Sequence, residues 1–126
     1  MKELNTIGLD QEKAENLAKK LNTLLSNYSI FYQNTRGFHW NIQGDKFFEL
    51  HLKFEEIYND LLLKIDEIAE RILTLGYTPE HRYTEYSKSS TIKESDKVTD
   101  GHTAVAQILD SLKIVIVMQR AILELA

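Results

Sequence analysis

The sequence predicts an all-α protein: three long amphipathic helices, with one short helix inside a long crossover. Apolar residues recur at helical spacing over three stretches, about 11–38, 45–75 and 101–126. The chain has a single proline, and it falls in the connection between the second and third stretches. That connection, Gly76 to Gly101, is too long for a simple turn and should carry structure of its own. With 126 residues, 43% of them hydrophobic, one core can be filled, and a single domain over residues 1–126 is expected.

Asp10 is placed to N-cap the first helix, which should run to about Phe38 and bury Leu17, Leu21, Leu24, Leu25, Tyr28 and Phe31. The second helix should span about Asp45 to Leu75 and stop at Gly76. Its apolar face consists of Phe47, Leu50, Phe54, Ile57, Leu61, Ile65, Ile68 and Ile72. In the crossover, Thr78-Pro79-Glu80 combines a cap residue, a proline at the first helical position and an early acid, so a short helix from Pro79 to Lys88 is expected. The third long helix begins after Asp100 and presents Val105, Ile108, Leu109, Leu112, Val115, Ile116, Ile122 and Leu123. Its apolar period is still running at Ala126, with no stop signal there.

Composition narrows the chemistry. The absence of cysteine removes thiolate metal sites and thiol redox chemistry. No apolar run is long enough to span a bilayer, and Met1-Lys2-Glu3-Leu4-Asn5 does not resemble a signal peptide, so a cytoplasmic protein with no membrane partner is expected. A net charge of −4 argues against DNA as a partner, because phosphate binding requires clustered cations. Lys13, Lys19 and Lys20 are interrupted by Glu12 and Glu15.

Four residues carry the candidate chemistry: His39, His51, Asp66 and Glu70. On one helix, Asp66 lies about 22 Å and Glu70 about 28 Å from His51, too far to share an ion within one chain. Their angular positions nevertheless agree. With His51 at zero, Glu55 falls near 40°, Asp66 near 60° and Glu70 near 100°, whereas Lys53, Glu56, Asp60, Lys64, Glu67 and Arg71 cluster at about 140° to 220°. An antiparallel second copy across a two-fold axis would set the histidine end of one chain against the acidic end of the other and form two equivalent sites. The link Asn41-Ile42-Gln43-Gly44 allows His39 to return beside His51. Mixed imidazole and carboxylate ligation suits iron, with zinc or manganese as other candidates, and is too hard for copper(I). The chain contains no Glu-x-x-His, the ligand pair of bundle-core diiron proteins, so its centre must be built differently.

The residues around these four carry a more specific signal. Asn34, Gly37-Phe38-His39-Trp40-Asn41, Gly44, Phe47-Phe48-Glu49-Leu50-His51, Phe54-Glu55-Glu56-Ile57-Tyr58 and Asp66-Glu67-Ile68-Ala69-Glu70-Arg71 closely resemble the Dps family of mini-ferritins. The resemblance implies a ferritin-like four-helix-bundle fold and a di-iron ferroxidase centre at the dimer interface. It implies that His39, from one subunit, and Asp66 and Glu70, from its mate, hold the tighter iron, while His51 and Glu55 serve the weaker one. Trp40 corresponds to a tryptophan beside the centre that is associated with stray oxidising equivalents. The implied activity is oxidation of Fe(II), preferably by hydrogen peroxide and otherwise by dioxygen, with ferric mineral stored in a dodecamer.

The resemblance covers three long helices and the crossover, and not the fourth long helix of the bundle. A reading frame truncated at the C-terminus is therefore expected, together with a large exposed apolar patch. Two other functions are kept in view: a nucleoid-binding stress protein with little ferroxidase activity, and an inactive fragment. His81 and His102 are read as surface residues, Arg71 as pairing with carboxylates at the dimer surface without a catalytic role, and Tyr77, Tyr83 and Tyr86 as contacts at an interface.

Overall fold

In the computed structural model, which describes residues 10–125, the elements are α1 (Gln11–Asn41), α2 (Phe47–Thr74), α3 (Tyr83–Ser89) and α4 (Gly101–Leu125). The architecture is thus the expected all-α arrangement of three long helices and a short crossover helix. α1 is the central element, and α2, α3 and α4 all pack on it.

α1 begins where the sequence indicates. The Asp10 carboxylate accepts the backbone N–H groups of Glu12 at 2.9 Å and Lys13 at 3.2 Å, satisfying two otherwise orphaned donors of the first turn. The helix ends three residues later than expected, at Asn41, so His39 lies in its last turn. Leu21, Leu24, Leu25, Tyr28 and Phe31 are all buried.

α2 starts at Phe47 rather than Asp45, because Gly44 adopts a positive φ of 107° and turns the chain just before it. Its stop is the expected one. Gly76, at φ 91°, donates to Leu73 O, and Tyr77 N–H reaches back to Ile72 O at 3.1 Å. This is a Schellman closure, which favours glycine because the left-handed conformation penalises a Cβ. Phe54, Leu61, Ile68 and Ile72 are buried against α1.

The crossover differs from expectation at its helix. α3 begins at Tyr83, four residues after the expected Pro79 start, because one tertiary and one local interaction hold residues 78–82 in a non-helical form. Glu80 N–H donates to Asn22 Oδ1 at 2.8 Å, and the Glu80 carboxylate folds onto the Arg82 guanidinium, with Nε at 2.6 Å. That pairing holds the Glu80 carboxyl below its usual range.

Three α1 asparagines fasten the crossover. Asn22 takes Glu80 N–H and donates to Thr78 O. Asn34 accepts Ser95 N–H and donates to Lys93 O, both at 2.9 Å. Asn27, fully buried, accepts Ser90 Oγ–H, Thr91 N–H and Ile92 N–H at 3.0 to 3.1 Å and donates to Thr23 O. These amides satisfy the backbone of an irregular segment that has no ladder of its own.

At α4, Asp100 accepts both the N–H and the hydroxyl of Thr103 at 2.9 Å, and the backbone bond foremost holds its carboxyl below the ordinary range. Ala104, Ile108, Ser111 and Val115 face α1, whereas Val105, Leu109, Leu112, Ile116 and Leu123 are exposed. The exposed patch expected from the sequence is therefore present. Between α2 and α4, floored by α1, runs a groove lined by Leu17, Leu21, Leu24, Ile68, Ile122 and Leu123 among others.

Candidate metal centre

The turn Ile42–Lys46 returns the chain so that the end of α1 meets the beginning of α2. His39 and His51 stand side by side there, as expected, with their rings stacked at 3.7 Å between centroids and 16° between planes. Each ring is tied to the other's backbone. His39 Nδ1 lies 2.7 Å from His51 O, and His51 Nδ1 lies 2.7 Å from His39 O. A carbonyl oxygen can only accept, so both Nδ1 atoms donate, and in the neutral imidazole each Nε2 is then left as the lone-pair atom. This tautomer is the one a ligating histidine needs, with the non-ligating nitrogen anchored to a carbonyl.

The clasp also resolves a helix-end problem. His39 O lies in the last turn of α1, and the N–H that would bond it in a longer helix, that of Gln43, goes instead to Thr99 O. The His51 ring occupies the vacant acceptor. His39 is 6% exposed, and its Nε2 lies 3.8 Å from Glu55 Oε1. At that separation the two atoms stand beyond direct hydrogen-bonding distance.

Asp66 and Glu70 lie further along α2 and are exposed. One chain does not bring them to the imidazoles, and among the described residues no three His, Asp or Glu side chains gather at the spacing of one ion. Their surroundings are informative. Phe48, Leu52, Leu62, Leu63 and Leu73 are all exposed, and on the angular scale used above they fall at about 20° to 120°, the same strip as Glu55, Asp66 and Glu70. α2 therefore has two apolar faces, one packed on α1 and one open, with the acids set within the open one. Sequence reasoning identified the acids and missed this strip; the helical projection contains it once Phe48, Leu52 and Leu63 are added.

Trp40 is 56% exposed, and the Arg36 guanidinium covers its ring at 4.7 Å. The aromatic ring that meets His39 is Tyr58, edge-on at 5.2 Å. Tyr58 also packs edge-on against Tyr32, and Arg36 lies 5.6 to 5.8 Å from these two rings as well. Tyr58 meets His39 and Phe47 meets His51; sequence reasoning named both residues within the motif and gave neither a role at the site, because they belong to no ligand pattern. His81 and His102 are exposed. Tyr86 donates to Glu80 O at 2.7 Å within the chain, while Tyr83 is exposed.

Comparison with known proteins agrees with this architecture. The ferritin-like domain family matches residues 18–126. A DNA protection during starvation protein of Porphyromonas gingivalis is 42% identical, over 98% of this chain and 77% of its own length. The crystal structure of a Dps protein from Vibrio cholerae superposes with a TM-score of 0.96 at 55% identity, covering 98% of this chain and 77% of that one.

The chain belongs to the Dps family.

An uncharacterised protein of Haemophilus influenzae is also 51% identical, over 96% of this chain and 76% of its own length. As a Dps family member, the chain is an iron-binding, ferritin-like stress protein. No helix among the described residues is long and apolar enough to cross a membrane.

Proposed function

We propose that this chain is a ferroxidase: it oxidises Fe(II), preferentially with hydrogen peroxide, at di-iron sites shared by two copies, and thereby limits oxidative damage. The observation that carries the reading is the position of Asp66 and Glu70 within the open apolar strip of α2. Carboxylates set among exposed leucines suit a protein interface better than bulk water, and an antiparallel second α2 brings them opposite the imidazole pair. The Vibrio cholerae relative is described as a member of a superfamily of ferritin-like diiron-carboxylate proteins, which supports iron as the substrate metal.

In this reading His39 and the partner's Asp66 and Glu70 hold one ferrous ion, while His51 and Glu55 serve the other. The anionic oxygens favour the ferric product, and the neutral imidazoles limit the total negative charge. The balanced reaction is 2 Fe(II) + H2O2 + 2 H+ → 2 Fe(III) + 2 H2O. Each ion gives one electron, the O–O bond breaks with both electrons supplied together, and no hydroxyl radical is released. The clasp holds both imidazoles in the ligating tautomer before metal arrives, so little ordering remains to be done on binding. Retention of ferric mineral inside a dodecameric shell is the corresponding storage function of this reading.

Stopped-flow oxidation of added Fe(II) tests the reading. Peroxide should drive fast oxidation in the wild type, and His39→Ala and Glu70→Ala should each remove it. Unchanged rates in both variants would refute the reading.

A further inference from the structure

The ring of Phe47 belongs to no ligand set, yet its placement bears directly on the imidazoles. Phe47 is the first residue of α2, and Lys46, at the N-cap, supplies no side-chain hydrogen bond to the opening turn. That turn therefore lacks its usual fastening. Instead, Phe47 stacks on His51 one turn along, with centroids 5.0 Å and planes 20° apart. His51 in turn lies flat on His39. The three rings form one stack, and Tyr58 meets His39 edge-on.

We propose that Phe47 is a positioning residue for the imidazole pair. By holding His51 flat against His39, it fixes both rings as Nδ1–H tautomers and keeps both Nε2 lone pairs free for a divalent ion. A flat ring one turn away restricts the rotation of His51 to the orientation that keeps Nδ1 on His39 O. An aliphatic side chain could fill the same volume but could not impose a plane. If His51 turns away, His39 O loses the side-chain partner it has among the described residues, and His39 loses the surface on which it is stacked. One missing ring would thus loosen two ligands. The inference rests on the reading of His39 and His51 as iron ligands.

The test uses metal-free protein labelled with nitrogen-15 at histidine, as wild type, Phe47→Leu and Phe47→Tyr. Long-range nitrogen–proton correlation reads the tautomers, Co(II) titration followed by visible absorption reads the affinity, and circular dichroism reads the helix content. Wild type and Phe47→Tyr should show Nδ1–H at both histidines. Phe47→Leu should shift both toward Nε2–H and weaken Co(II) binding roughly tenfold or more, the usual consequence of losing an outer-shell support, with helix content retained. Wild-type tautomers in Phe47→Leu would overturn the inference, and so would Phe47→Tyr behaving like Phe47→Leu. If Phe47→Leu loses helix content, Phe47→Met is judged by the same readouts. An Nε2–H signal for either histidine in the wild type overturns the inference without any variant. Failure of the wild type to oxidise iron while showing the stated tautomers would instead refute the ferroxidase reading and leave the clasp standing.

Discussion

The seam between α1 and the crossover and the outer face of α2 solve opposite problems. Along the seam an irregular segment is closed within the chain: Asn22, Asn27 and Asn34 meet its backbone groups one by one, and Asn27 does so with no exposure to water. Along the outer face of α2 a regular helix is left open, with leucines and carboxylates side by side on one strip. The seam needs nothing further, whereas the strip leaves its acids and leucines open, and on the proposed reading a second copy completes them. Polar residues thus serve two ends here, and what separates them is whether their partners lie within the same chain.

The sharpest way to break this contrast is to remove a ligand from the open side. Asp66→Ala or Glu70→Ala should reduce peroxide-dependent iron oxidation roughly 100-fold or more, exceeding the loss typical of an outer-shell change, while leaving the thermal unfolding midpoint nearly unchanged. On the closed side the opposite pattern should hold. Asn27→Ala leaves the buried Ile92 N–H and the part-buried Thr91 N–H without their acceptor, and should cost about 1 to 3 kcal/mol in chemical denaturation with the histidine clasp intact.

A milder perturbation addresses the strip's apolar part. Leu63→Asp should weaken self-association about 10- to 100-fold in sedimentation experiments, the range expected when one buried leucine is lost from an interface, with helix content preserved. The smallest effect is expected at Asp100. The folded chain favours its charged form, so the cap is fully effective above the ordinary aspartate value of 3.8 and fades as pH falls through and below it. Wild type should therefore lose a little thermal stability on acidification in this window, and Asp100→Ala should lose correspondingly less.

Legibility followed the same division. The Asp10 cap, the Gly76 stop and the inner face of α2 could be read directly, because each is a local rule acting on neighbouring residues. The asparagine fastenings could not, since Asn22, Asn27 and Asn34 in a long helix resemble ordinary polar positions until the crossover is laid against them. α3 began late because the Asn22 and Arg82 bonds of Glu80 outweighed the local signal of Thr78-Pro79. At the candidate site, the proximity of His39 and His51 followed from the short link between their helices. Their crossed bonds to each other's carbonyls did not, because these depend on where α1 runs out of its own donors. The second apolar strip of α2 was obscured for a different reason: Glu55, Asp66 and Glu70 interrupt it, and an interrupted strip does not read as a packing face.

The central claim is that one copy supplies the imidazoles and its mate supplies the acids. Mixing His39→Ala with Glu70→Ala protein, each expected to be inactive alone, tests it most directly once subunits are allowed to exchange. A site shared across a two-fold axis predicts that half of the randomly paired dimers are mixed and that each carries one intact centre, restoring about a quarter of wild-type oxidation. No recovery, with exchange confirmed by native mass, would mean that each centre draws its ligands from a single chain, and would contradict the account.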